Sequence, residues 1–204
     1  MSLRSWKNSL GTSLSCVRVW ARYGIPPRIA GDERILRTVF SPLNVSEKNG
    51  KPKLKPSFMR PPSQPDEDDP SHMSNKLSTT RYDYAGLQFC REHARAHQSD
   101  PMRHYWGFGK FVVADLEQPF NAQGLLCSCK MKNKPAKDNP AHANIDLGFR
   151  LHEGETLDSR ISEYLKHLVN KAEVIKDPEP TSPQWTGDLV EEPKYGTLNY
   201  KQKK

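Results

Sequence analysis

An α+β domain is expected from this chain: an antiparallel sheet of about four or five strands with two packed helices, flanked by disordered ends. Short apolar runs of alternating character recur through residues 32–176, two longer segments there show helical spacing, and the flanking stretches are polar. The division is a basic, Ser-rich head over 1–31, a folded domain over 32–176, and a polar tail rich in Pro and Lys over 177–204.

The first strand is read from Glu33 to Phe40, where Leu36, Thr38 and Phe40 alternate with Ile35, Arg37 and Val39. Residues 41–76 hold many Pro, Ser, Lys and Asp residues and read as loop, apart from an extended patch at Leu54 to Met59. Asp66, Glu67, Asp68 and Asp69 before Pro70 read as a solvated turn. Lys76 to Arg81 reads as a second strand. Tyr84 to His97 reads as a helix with Leu87, Cys90 and Ala94 on one face, stopped by Ser99-Asp100-Pro101.

Three strand candidates follow: Gly109 to Leu116, Gly124 to Lys130, and His142 to Phe149. The short link between the first two predicts that they pair antiparallel. The clearest helix runs from about Leu157 to Val174, where Leu157, Ile161, Tyr164, Leu165, Leu168 and Ala172 form one apolar stripe. Thr156 is its expected N-cap. Asp177-Pro178-Glu179-Pro180 closes the domain, and Trp185 and Tyr195 in the tail are candidates to dock back.

The bulk numbers agree with a compact middle diluted by polar segments: 204 residues, 35% hydrophobic, 17 prolines, and a mean hydropathy of −0.82. No run reaches the about 18 apolar residues of a membrane span, so no transmembrane segment is expected. The net charge of +7 favours an anionic ligand, an acidic protein partner or nucleic acid. Much of that charge is terminal, however, from Arg4 to Arg28 and at Lys201, Lys203 and Lys204. Cys16, Cys90, Cys127 and Cys129 are too unevenly spread for a disulfide framework, which points to a reducing, cytoplasmic setting. The acid-free head, with Leu3, Trp6, Leu10, Leu14, Val17 and Trp20 at near-helical spacing, would suit a mitochondrial presequence if the source is eukaryotic.

Four groups of residues could carry chemistry. Cys90, His93 and His97 fall on one helical face, and Cys127 and Cys129 share one side of a strand; together they are a candidate zinc set. The bland reading makes the cysteines small buried hydrophobes. His142, opening a strand after a Pro turn, can act as acid, base or ligand, or can bond the backbone. Aromatic and basic residues interleave from Arg103 to Phe111, either to stack bases or to fill the core. Arg37, Ser78-Thr79-Thr80 and Glu153-Gly154-Glu155 follow the order Arg strand, Ser-Thr-Ser strand, Glu-x-Glu loop, with Thr80 in place of the second serine.

That order resembles one class of mono-ADP-ribosyltransferases. The resemblance implies NAD as cofactor, with Arg37 pairing its phosphates, Ser78 holding the site and Glu155 stabilising the ribose cation. The glutamates here precede a helix, where acids also favour the helix dipole. Over residues 33 to 180 the chain also resembles small uncharacterised bacterial proteins, through Lys53 to Pro62, Leu77-Ser78-Thr79 and Asn139-Pro140-Ala141-His142-Ala143. That likeness implies no known activity. The leading expectation is a small intracellular binding or accessory protein without catalysis or cofactor. The alternatives are the NAD-dependent enzyme and a nucleic-acid-binding protein.

Overall fold

In the computed structural model, strand alternation builds a six-stranded antiparallel sheet in the order β10-β5-β1-β4-β9-β8. The structure describes residues 14–98, 103–188, 190–195 and 198. The elements in chain order are helix α1 at 14–23, β1 Arg34–Ser41, β2 Val45–Lys48, β3 Lys51–Leu54, a 3-10 turn Pro56–Met59, β4 Lys76–Arg81 and α2 Tyr82–Ala96. There follow β5 His104–Val112, α3 Val113–Leu116, β6 Phe120–Ala122, β7 Leu125–Cys127, β8 Lys130–Asn133, β9 His142–Asp146, α4 Ser159–Asn170 and β10 Glu173–Lys176.

The α+β class stands, with six strands in the main sheet where about four or five were expected, and two further two-stranded hairpins. β10 begins within the stretch read as the end of the last helix, overlapping it at Glu173 and Val174. Lys171 closes α4, and the chain then turns back to pair Glu173 with Lys110 and Ile175 with Phe108. The expected pairing of Gly109 to Leu116 with Gly124 to Lys130 is not formed. β5 pairs with β1 and β10, while β6 and β7 pair with each other across Gln123 and Gly124. Both turn residues have positive φ, 50° and 87°, the backbone of a two-residue hairpin turn. A second hairpin, β2–β3, turns on Asn49 and Gly50, with φ of 53° and 71°, inside the stretch read mainly as loop. The cap of α4 is Asp158, whose carboxylate accepts from the Arg160 amide, rather than Thr156.

One face of the sheet carries Ile35, Val39, Leu77, Phe111 and Ile145 against Phe58 of the 3-10 turn and Tyr164, Leu165 and Leu168 of α4. The other face carries Leu36 and Phe108 against Phe89, Cys90 and Ala94 of α2. Helix α2 packs over β5, β1 and β4, so the polar residues of β9 and β8 on that face lie beyond its cover. Three ion pairs pin the periphery: Arg81 with Glu33, Arg91 with Asp177, and Arg34 with Asp83. The segment after Lys176 runs back across α2. Arg91 holds the carbonyls of Glu179 and Ser182, and Arg34 holds Glu191 and the carbonyl of Glu192. Tyr195 stacks on Tyr84 with ring centroids 4.7 Å apart.

The acidic run is a solvated turn at Glu67 and Asp68, but not at its first residue. Asp66 is buried; it binds Lys76 and accepts from the amides of Asp68 and Asp69. Residues 1–13, 99–102 and 201–204 lie outside the described part, and with them most of the presequence pattern, the Ser99-Asp100-Pro101 stop and the last lysines. Within α1, Cys16 is buried beside Asn133 while Leu14, Val17 and Trp20 are exposed. Among the described residues no helix is long and apolar enough to cross a membrane.

Candidate functional site

In an antiparallel pair, directly opposed residues point to the same face. Ser78 lies opposite Asn144 and Thr80 opposite His142. These four therefore share the α2 side of the sheet, while Leu77, Ala143 and Ile145 turn to the α4 core. Ser78 is exposed, and its Oγ lies 2.8 Å from His142 Nε2. The other ring nitrogen, Nδ1, lies 2.6 Å from the Lys134 carbonyl oxygen. A carbonyl only accepts, so Nδ1 carries the proton and Nε2 accepts from the Ser78 hydroxyl. Burial pushes the His142 pKa down, opposed by the Lys134 carbonyl and aided by the Lys134 ammonium. The ring is therefore neutral at pH 7.

Beside this pair, the last turn of α2 presents His93 and His97, whose rings stack at 4.2 Å. The i, i+4 spacing puts both on one helix face. His97 Nε2 lies 2.9 Å from Asp138 Oδ2, and its Nδ1 lies 2.9 Å from the His93 carbonyl oxygen. One ligand atom from each of His93, His97 and Asp138 falls within 4.8 Å of the others. Burial, then repulsion from His97, pushes the His93 pKa down to about 4. Asp138 is partly desolvated, but hydrogen bonds from its own backbone amide and from His97 keep its carboxyl below the usual range.

The loop that carries Asp138 and opens into His142 is held from beneath by Asn139. Its buried amide donates to Thr80 Oγ1 at 2.8 Å, and its side-chain oxygen accepts from the Ala141 amide at 3.1 Å. The Arg81 amide donates to the Ala141 carbonyl at 2.8 Å. Replacing Asn139 by Ala strands the Ala141 amide and the Thr80 hydroxyl, at about 1–3 kcal/mol for a buried group left without its partner. The expected result is a lower urea midpoint, which Asn139→Asp recovers only in part, since a carboxylate restores the acceptor for the Ala141 amide but not the donor to Thr80.

The five residues of the expected zinc set do not converge. Cys90 points into the α2 core, and burial drives its thiol far up. Cys127 and Cys129 lie on the opposite side of the sheet. Cys129 donates to the Leu116 carbonyl, and burial pushes its pKa up to about 11. The two histidines do come together, and their third partner is Asp138, which reads in the sequence only as part of a Pro turn. Its position against α2, 41 residues from His97, has no local signal.

Arg37, Ser78 and Glu155 are also separated. Ile35 opposes Arg81, so Arg37 shares the face of Thr79, not that of Ser78. The Arg37 guanidinium lies over the Phe58 ring and donates to the carbonyls of Phe58 and Ser78; burial alone lowers its pKa to about 10. Glu155 folds onto its own turn, accepting from the His152 amide at 2.8 Å. Among the described residues no hydrogen bond joins Glu155 to Arg37 or Ser78. In the aromatic stretch, Tyr105, Phe108 and Phe111 are core, and Lys110 pairs with Glu173.

Further along the polar face, Lys132 and Lys76 flank Asp146 and meet the acidic run, in a cleft of about 370 Å³ that also includes His72 and Arg150. Lys76 pairs with Asp66 and Asp68, Lys132 with Asp146, and Lys134 with Glu67. No family model, curated protein or solved structure matches the chain.

Proposed function

We propose that this protein is a metal-binding protein that holds one divalent ion of the zinc type between His93, His97 and Asp138. The observation that carries the reading is the convergence of three ligand atoms within 4.8 Å. Two imidazoles and one carboxylate are a ligand set for zinc and its neighbours, and oxygen-only cations such as magnesium fit it poorly. Bonds of about 2.0–2.2 Å to a tetrahedral ion put ligand atoms about 3.3–3.6 Å apart. Small side-chain shifts bring them there: the His97–Asp138 pair, at 2.9 Å, opens as its hydrogen bond is exchanged for two metal bonds, and His93 closes onto the ion. The rest of the site supports this: α2 fixes both histidines, and Asn139 fixes the loop of Asp138. A fourth position remains for water or a ligand, which suits a binding protein that presents its metal to a partner.

Calorimetric titration of the full-length protein with zinc, after treatment with a chelator, tests the reading. One equivalent should bind, and His93→Ala and His97→Ala should each weaken it by at least about 100-fold, beyond the usual effect of losing an outer-shell partner. Asp138→Asn should weaken it less, because an amide oxygen still ligates. Absence of saturable zinc binding in the folded wild-type protein, or equal affinity in His93→Ala, overturns it.

A further inference from the structure

We infer that Ser78 is a nucleophile activated by His142, and that it attacks activated carboxylic esters and related acyl or phosphonyl groups. This site is separate from the metal reading and does not depend on it.

Three observations carry the inference. First, the hydroxyl of Ser78 already donates to the free nitrogen of His142 at 2.8 Å, the arrangement a nucleophile and its general base require. Second, the base is oriented. The Lys134 carbonyl, 2.6 Å from Nδ1, fixes the tautomer and the ring plane, the part a carboxylate plays in a catalytic triad. A carbonyl cannot neutralise an imidazolium as a carboxylate does. Asp138 and Glu67 act on the His142 ring from a distance and favour its charged form. Third, Asn144 stands directly across from Ser78 on the same face, is 8% exposed, and its side-chain amide makes no hydrogen bond with any described residue. A donor left open beside an exposed hydroxyl is what a developing oxyanion needs.

The step balances without an added reagent. Ser78 Oγ bonds to the carbonyl carbon as its proton passes to His142 Nε2, and the carbonyl oxygen takes the negative charge beside the Asn144 amide. The C–O bond to the leaving alcohol then breaks, and the alcohol departs with the proton from His142. Water, deprotonated by the same nitrogen, hydrolyses the acyl-serine and restores the hydroxyl. Lys132 and Lys134 border the site but are each paired with a carboxylate, Asp146 and Glu67, so a neutral activated ester is the class it suits.

The test uses the full-length protein and a fluorophosphonate, which phosphonylates an activated serine with loss of fluoride. Intact-mass analysis should show one adduct, and peptide mapping should place it at Ser78. Ser78→Ala should abolish it. His142→Gln should slow it by about 100-fold or more, the usual worth of a general base. Asn144→Ala should slow it by about 100-fold through the oxyanion, while p-nitrophenyl acetate hydrolysis falls in parallel. Ser78 is exposed, so Ser78→Ala should keep the wild-type melting temperature, and that measurement accompanies each variant. Labelling should persist after chelation, which separates this site from the zinc site. A folded wild-type protein that takes no adduct, or an adduct unchanged in Ser78→Ala, overturns the inference.

Discussion

Replacing Asp177 with alanine is expected to destabilise the fold by about 3–5 kcal/mol, the cost of leaving a buried ion without its partner. Arg91 and Asp177 both have fully buried side chains, joined at 2.6 Å. The same guanidinium also holds the carbonyls of Glu179 and Ser182 at 2.6 and 2.7 Å. The alanine variant keeps those two bonds but buries a bare cation against Tyr105 and the α2 core. A urea titration should show the midpoint fall with little change in slope. Limited proteolysis should cut the segment after Lys176 earlier than in the wild type, because Asp177 is its first anchor. Arg34 is also tied to Glu191, but the Glu191 carboxylate side chain is 73% exposed. Glu191→Gln should therefore change stability by less than about 1 kcal/mol. An Asp177 variant as mild as the Glu191 variant would show that water reaches Arg91 in the native state.

How far the chain could be read in advance depends on whether the deciding contact is local. β4 was legible from Lys76 to Arg81, and α4 from its apolar stripe, because period alone sets such elements. Asn49-Gly50 was also legible: it is a strong short-range hairpin signal, masked here by the surrounding lysines and prolines. β10 was not legible, since Glu173 to Lys176 continues a helical pattern and becomes a strand only by meeting β5. The closing run Asp177-Pro178-Glu179-Pro180 reads only as the end of the domain, because nothing nearby shows Arg91, 86 residues away.

The site divides along the same line. His93 and His97 could be paired from their spacing on one helix, whereas Asp138 and the thiols depend on which side of the sheet each strand turns. His142 and Ser78 each stood out separately, one as an acid or base, the other within an NAD pattern. Their meeting follows from the β4–β9 register, in which Thr80 faces His142 and Ser78 sits one step along the same face. Composition carries no information about register. A shift of one residue would send Ser78 into the α4 core and leave His142 without its donor.

Removing Arg81 should be as damaging as removing Asp177, and its repair should tell the two roles of the residue apart. Its side chain is fully buried, with Glu33 on one side and the carbonyls of Pro26 and Arg28 on the other. Arg81→Met leaves the Glu33 carboxylate buried with only the Ala30 amide for support, so a loss of about 3–5 kcal/mol is expected. Amides of residues 28–34 should lose hydrogen-exchange protection before the rest of the sheet. In Arg81→Met with Glu33→Leu, no ion remains to be solvated, and most of the stability should return, as it does when buried ion pairs give way to apolar side chains. The chain before β1 will still lack its two carbonyl contacts, so exchange at the Arg28 amide should stay fast. Arg81 ends the strand that carries Ser78, and its amide bonds to Ala141 just before His142. That bond is backbone and survives both substitutions. The double variant should therefore regain fluorophosphonate labelling along with its stability. A double variant that is stable but no longer labels would mean that the Arg81 guanidinium itself, not the strand it ends, holds Ser78 and His142 in place.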